Sequence, residues 1–244
     1  MSHKFYIGGG KTAEWPNLPT QTFAPIMGLN YRNVLLLQQV SDVSSRSQVN
    51  TSVDFGPFKL SVPIMTAAMD SVSGELMIRT LHELGALGTL PRAHTETEFK
   101  DNLAICKSLS EENISCVYSV GLANAHEEAN KYVSNGAKVI LIDVAQGGMK
   151  KIVDEAIKIK KKFPDVYVIA GSICTYDVTK MYIDAGIDMI KLGVGNGSAC
   201  DTRQQASTGT PQLSAILDAT LAKDVTIIAD AGIRYPGDVA LALA

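Results

Sequence analysis

The stretch GVGNGSACDTR, residues 193–203, sets Gly193, Gly195 and Gly197 within five positions and then adds Ser198, Cys200, Thr202 and Arg203. Glycine lets a backbone take unusual dihedrals and approach a ligand closely. Exposed amides in such a loop form an anion-binding nest. Exposed carbonyls can instead bind a cation. The Ser198 hydroxyl can donate to a phosphate. The Cys200 thiolate can attack an electrophilic carbon once the local field lowers its pKa. Thr202 and Arg203 lie within reach of whatever the thiol forms. The same residue types also suit a tight strand-to-helix turn around a buried structural cysteine, a common place for a free thiol.

Two carboxylates add to this set. Asp230 ends the apolar run in IIADAGIR and is followed by Ala231 and Gly232. A carboxylate there can accept hydrogen bonds from a ribose diol while the next amides face a phosphate; a helix N-cap is the plainer use. Asp143, in LIDVAQGG, ends another apolar run in the same way. Its plainer use is to bind loop amides.

The elements that must position these groups follow from patterning. Apolar, β-rich runs occupy 62–68, 85–90, 115–121, 137–145, 166–172, 188–195 and 225–232. Most are continuous rather than alternating, as in strands of a parallel sheet covered on both faces. Amphipathic segments lie between them, over 73–84, 126–136 and 175–186, the last two ending on Gly136 and Gly186. Glycine just past the final turn is a helix stop. Strand and helix alternate, so the chain is an α/β protein of βα units. A dinucleotide-binding sheet would need G-x-G-x-x-G after its first strand, but AAMDSVSGE stands there. Polar and glycine residues instead gather at the C-terminal ends of nearly every strand, where a TIM barrel carries its active site. A TIM (β/α)8 barrel is therefore expected, with its eighth strand and last helices apparently missing from this sequence.

Bulk composition narrows the function classes. The chain has 244 residues, is 46% hydrophobic and carries a formal net charge of −3, enough for one large core and too acidic for a nucleic-acid footprint. The basic cluster Lys158, Lys160, Lys161 and Lys162 precedes Phe163-Pro164 and suits a solvated helix C-terminus. Cys106, Cys116, Cys174 and Cys200 show no Cys-x-x-Cys or zinc spacing. No apolar run is long enough for a membrane span, and the first residues lack a signal peptide's apolar core. A cytoplasmic protein with no membrane or nucleic-acid partner is expected. Residues 1–27, including IGGGKT, which is not a complete P-loop, are read as an extended arm. Residues 28–244 are read as the barrel, truncated at its C-terminus.

GVGNGSACDTR resembles the catalytic cysteine loop of the inosine monophosphate dehydrogenase and guanosine monophosphate reductase family. The resemblance runs from about residue 28 to the end. GLNYRNVLLLQQVSDVSSRSQVNTS is similar to the family's opening segment, and PIMTAAMDSVS, GALGTLPR, VIAGSICT, GTPQLSAI and IIADAGIRYPGDVALALA match family blocks in family order. The family fold is a TIM barrel. The resemblance implies a thiolate, Cys200, that attacks C2 of a purine nucleoside monophosphate, with hydride passing between C2 and a nicotinamide cofactor. It further implies that Ser198 and Gly232 hold the 5′-phosphate, Asp230 the ribose hydroxyls, and that Met69 packs on the purine. Asp143, with Ser172, would face the nicotinamide ribose, and Thr202 the C2 leaving group or water. Carbonyls of Gly195, Gly197 and Cys200 would bind potassium, completed by a neighbouring subunit of a homotetramer. Arg92 falls near a position where the family often has lysine.

GALGTLPR, TAAMD and IADAGIR resemble the dehydrogenase branch, and DVAQG is mixed. The favoured expectation is therefore NAD-dependent oxidation of inosine monophosphate to xanthosine monophosphate through a Cys200 thioimidate. The alternative is an NADPH-dependent guanosine monophosphate reductase. The segment between the second and third strands is too short for the regulatory domain that many dehydrogenases insert there. Three residues depart from the family pattern. Ser172 replaces a usual asparagine, Ala231 a usual glycine, and Asp201 follows the cysteine, where an inward carboxylate would raise the thiol pKa. The family's flap and water-activating arginine fall beyond this sequence. These departures leave open a non-catalytic homologue that binds nucleotide or assembles with a relative.

Overall fold

The computed structural model describes residues 28–222 and 225–244, together with the backbone of 4–6 and 12–14. Strands β1 (Lys4–Tyr6) and β2 (Thr12–Glu14) pair antiparallel. The rest of the expected arm, IGGGKT for the most part included, lies outside the described residues.

The main sheet is built from β5 (Gly88–Leu90), β6 (Cys116–Val120), β7 (Val139–Asp143), β8 (Tyr167–Ile173), β9 (Met189–Leu192) and β10 (Thr226–Ala229). Its order is β10-β9-β8-β7-β6-β5, and every pairing in it is parallel. Chain order and spatial order coincide. A doubly wound sheet must reverse direction at a switch point, whereas a barrel adds each strand beside the last. The fold is α/β, a curled sheet that forms part of a TIM barrel. Between the strands lie α1 (Glu75–Glu83), α2 (Glu96–Glu111), α3 (Ala125–Ser134), α4 (Lys150–Lys162), α5 (Tyr176–Asp184), α6 (Thr202–Ala206) and α7 (Gln212–Thr220), and α8 (Pro236–Leu243) follows β10. The basic cluster closes α4 as expected, and Lys160 turns back to pair with Asp188 at 2.9 Å. Among the described residues, no helix is long and apolar enough to cross a membrane.

The strand expected over 62–68 shrinks to a bridge between Met65 and Leu87, flanked by bonds from Leu87 N–H to Ile64 (3.0 Å) and Thr66 N–H to Leu87 (3.1 Å). Pro63 has no N–H to give the ladder. Beyond Thr66 the chain coils into turns, with Met69 donating to Ala67 and Ser73 to Met69.

The continuous apolar strands are explained by two cores. Ile140 and Ile142 face the helices, while Val139 and Leu141 face inward. The inner core also holds Leu87, Val117, Ile169 and Met189. A hairpin of β3 (Val53–Phe55) and β4 (Phe58–Leu60) packs on it through Phe55 and Leu60. Its Gly56-Pro57 turn presses so close to Tyr167 and Met189 that a Cβ on Gly56 would lie 2.7 Å from the Met189 methyl. This hairpin plugs the end of the sheet where the strands begin. The opposite end carries the polar groups.

Candidate active site

Lys191 organises the C-terminal end of the sheet. It is 7% exposed and stands in β9 between β8 and β10. Its Nζ donates to Asp143 Oδ1 and to Ser172 Oγ, each at 3.0 Å, and lies 2.7 Å from Asp230 Oδ2. Burial works against its charge, but Asp230 and Asp143 outweigh it and raise its pKa above the usual lysine value. Asp143, Ser172 and Asp230, each expected at the site, thus meet around one ammonium.

The glycine loop leaves β9 directly. Gly193 N–H bonds to the Ile173 carbonyl at 2.8 Å, and Asp230 N–H bonds to Leu192 at 2.8 Å. Gly193 has φ of +148°, and a Cβ there would sit 2.1 Å from the Asp230 carbonyl. No other residue fits. Asn196 then pins the loop, donating to the Thr210 carbonyl (2.8 Å) and Gln212 Oε1 (2.7 Å). Gln212, fully buried, donates onward to the Leu192 carbonyl at 2.8 Å. The loop is therefore held by amide side chains rather than left floppy. Gly232 lies against it, its Cβ position 3.6 Å from that of Asn196. Ala231 takes φ of +72°, a left-handed backbone that costs an L-residue about 1–2 kcal/mol. The departure from glycine at this position therefore carries a conformational penalty.

Cys200 is half-buried, and the Thr202 hydroxyl, then the Thr202 amide and those of Gly195 and Arg203, hold its thiol below the usual range. Burial has the reverse effect elsewhere, pushing Cys106 up to about 11 and Cys116 further. Asp201 is exposed and the net shift of Cys200 is downward, so the conditional rise in thiol pKa is not realised. Ser198 is also exposed on this loop. Of the carbonyls expected to bind potassium, that of Gly197 accepts the Cys200 amide at 3.2 Å. Among the described residues, no group of three or more His, Cys, Asp or Glu could hold a metal ion.

A second region opens over β5 to β7. A cavity of about 490 Å³ is lined by Met69, Asp70, Arg92, His94, Ser119 and Asp143, among others. Its size suits a ligand. The Ser119 hydroxyl is buried there without a hydrogen-bond partner among the described residues. His94 Nε2 stands 3.5 Å from Asp70 Oδ2. Met69, Arg92 and Asp143 are therefore grouped at this cavity, and Gly195, Gly197, Ser198, Cys200, Thr202 and Gly232 at the loop. Lys191 joins the two groups.

A family model described as the IMP dehydrogenase / GMP reductase domain matches residues 28–244. The chain belongs to the IMP dehydrogenase / GMP reductase family. A GMP reductase of Vibrio cholerae serotype O1 (strain ATCC 39541 / Classical Ogawa 395 / O395) is 34% identical over 226 residues, 88% of this chain and 64% of that protein. The GMP reductase of Buchnera aphidicola subsp. Acyrthosiphon pisum (strain Tuc7) is 33% identical over 226 residues. The inosine-5′-monophosphate dehydrogenase of Aquifex aeolicus (strain VF5) is 50% identical over 115 residues, 46% of this chain and 24% of that protein. The chain thus spans a little under two thirds of the reductases it matches along most of its length.

Within this family member, the residues missed by reading the sequence are Lys191, Asn196, Gln212 and Ser119. Lys191 left a signal. A lysine inside the apolar run DMIKLGVG must be paired if the run is a buried strand. Gln212 and Ser119 left none, because their burial depends on contacts distant in sequence.

Proposed function

We propose that this chain carries the nucleotide-handling part of a purine nucleoside monophosphate oxidoreductase that works through Cys200. The observation that supports this most is a glycine loop carrying Cys200, pinned by Asn196 and leaving the strand whose buried Lys191 pairs with Asp143 and Asp230. The Cys200 thiolate adds to C2 of the purine. In the dehydrogenase direction, C2 then loses hydride and the resulting thioimidate is hydrolysed, releasing xanthosine monophosphate and the free thiol. Ser198 and Gly232 hold the 5′-phosphate, Asp230 the ribose hydroxyls, and Met69 flanks the base. Thr202 lowers the thiol pKa through its hydroxyl and amide and stands beside the C2 substituent.

A nicotinamide cofactor, NAD or NADP, supplies or accepts the hydride when bound. The cavity of about 490 Å³, with the orphaned Ser119 hydroxyl and the Asp143 carboxylate on its wall, fits a ribosylated nicotinamide. Ser172 supports Asp143 there through Lys191. A potassium ion at the carbonyls of Gly195, Gly197 and Cys200, a homotetramer that completes that site, and a cytoplasmic setting belong to the same reading. A stimulation of turnover by potassium over sodium checks the ion.

NAD-dependent oxidation of inosine monophosphate is the favoured direction, on the motifs GALGTLPR and IADAGIR. Reduction of guanosine monophosphate by NADPH is the second reading, favoured by the match to a GMP reductase along 88% of the chain. The test is intact mass and absorbance at the nicotinamide band on the full gene product. An adduct with inosine monophosphate and NAD, lost in Cys200→Ser, supports the first direction. NADPH consumption with guanosine monophosphate alone supports the second. Nucleotide binding with neither adduct nor turnover would reassign the chain to a non-catalytic binding or assembly role.

A further inference from the structure

Lys191 touches residues that the proposed function divides between two ligands. Asp143 and Ser172 belong to the cofactor side and Asp230 to the nucleotide side, yet one Nζ meets all of them, at 3.0, 3.0 and 2.7 Å. Those partners come from β7, β8 and the end of β10. Among the described residues, Lys191 is the cation paired with either carboxylate. Each carboxylate spends one oxygen on it, Oδ1 of Asp143 and Oδ2 of Asp230. The second oxygen of each accepts no hydrogen bond from the described residues. An ammonium so placed fixes two acceptors at once, and its burial keeps water from screening the interaction.

We propose that Lys191 is a positioning residue shared by the nucleotide and cofactor subsites, holding one free carboxylate oxygen ready for each ligand and linking the two subsites energetically. The inference rests on the proposed assignment of Asp143 and Asp230 to the two ribose groups. It has a consequence that separate subsites would not have. A neutral side chain at 143 leaves the whole ammonium charge to Asp230, whose oxygens become poorer acceptors for ribose hydroxyls. Asp143→Asn should therefore weaken nucleotide binding, although Asp143 is assigned to the other ligand.

The experiment is calorimetric titration of the full gene product with inosine or guanosine monophosphate and, separately, with NAD or NADPH. Lys191→Met is expected to weaken both classes of ligand by about 10-fold or more, as loss of one partner of a buried charge pair does. Lys191→Arg should restore most of both. Asp143→Asn should weaken the nucleotide about 3-fold, and should add no further loss in a Lys191→Met background, the signature of a direct coupling. A lysine that only supports the fold would lower the melting temperature without coupling position 143 to the nucleotide. Unchanged nucleotide affinity in Asp143→Asn, or loss of only one ligand class in Lys191→Met, overturns the proposal. If Lys191→Met does not fold, the Asp143→Asn result decides alone.

Wild-type protein that binds neither ligand class would defeat the assignment of the subsites rather than the lysine's role. That role is then read from the side-chain carboxyl-carbon NMR resonances of the ligand-free protein. Arginine keeps the charge but must reach the carboxylates in a different geometry, so Lys191→Arg should move the resonances of Asp143 and Asp230 together. A change at one alone, or at neither, overturns the shared role.

Discussion

The two ends of the sheet are built on opposite principles. Where the strands begin, Phe55 and Leu60 of the hairpin close over Leu87, Val117, Val139, Leu141, Ile169 and Met189, a cluster of buried apolar side chains. Where the strands end, the inward side chains are Ser172, Lys191 and the two aspartates, followed by a loop whose shape is set by Gly193, Asn196 and Gln212. The difference teaches where this chain keeps its stability and where it keeps its chemistry. Apolar packing is non-directional and tolerates approximate shape. A buried ammonium between two carboxylates is directional, and breaking it is costly. The first end can drift in sequence so long as volume is kept. The second cannot.

The sharpest contrast is predicted for Cys200→Ser. Turnover of the full gene product should fall by at least about 1,000-fold, as for other lost nucleophiles. The melting temperature should hardly move, because the side chain is half-exposed on a loop. A large loss of stability would mean that the cysteine is structural after all. The mirror image is Phe55→Ala. Denaturant unfolding should show a loss of about 3–5 kcal/mol, while thiol alkylation of the folded protein keeps its rate. If alkylation changes as well, the two ends are not independent.

A smaller effect tests the field around the thiol. The Thr202 hydroxyl is the largest cause of the low Cys200 pKa. Thr202→Val should therefore raise that pKa. The thiolate fraction at neutral pH falls, and the pH midpoint of iodoacetamide alkylation moves upward. A midpoint that stays put, or moves down, would assign the shift to the loop amides alone. The smallest effect is expected for Ala231→Gly. It relieves a left-handed backbone at φ of +72°, offset in part by glycine's greater freedom when unfolded, for a net gain of about 0.5–1 kcal/mol. Chemical denaturation resolves a change of that size.

Much of this organisation was legible in the sequence, and the reasons are local. Strand and helix positions followed from apolar runs and from stops such as Gly136 and Gly186, which do adopt positive φ. The order of the sheet followed from βα alternation. Asp143, Ser172 and Asp230 were readable because each stands at or near the end of a strand. Their meeting on Lys191 was not, since it depends on how three strands are staggered beside β9. The first strand was overread because its apolar content is strong, while Pro63 and the turns after Thr66 act on hydrogen bonding rather than on hydrophobicity. Asp201 was judged from its place beside Cys200, whereas it stands exposed at the N-cap of α6.

The hairpin plug also bears on the order in which the molecule assembles. The βα units join neighbour to neighbour, so each addition closes a short loop. The plug is different, because residues 53–60 rest on Tyr167 and Met189, more than a hundred positions away in the chain. Closing that distance is entropically unfavourable until the strands between have formed. An early segment of the chain thus docks late. Substitutions in it should speed unfolding far more than they slow folding, and equal effects on both rates would show that the plug is already seated in the transition state.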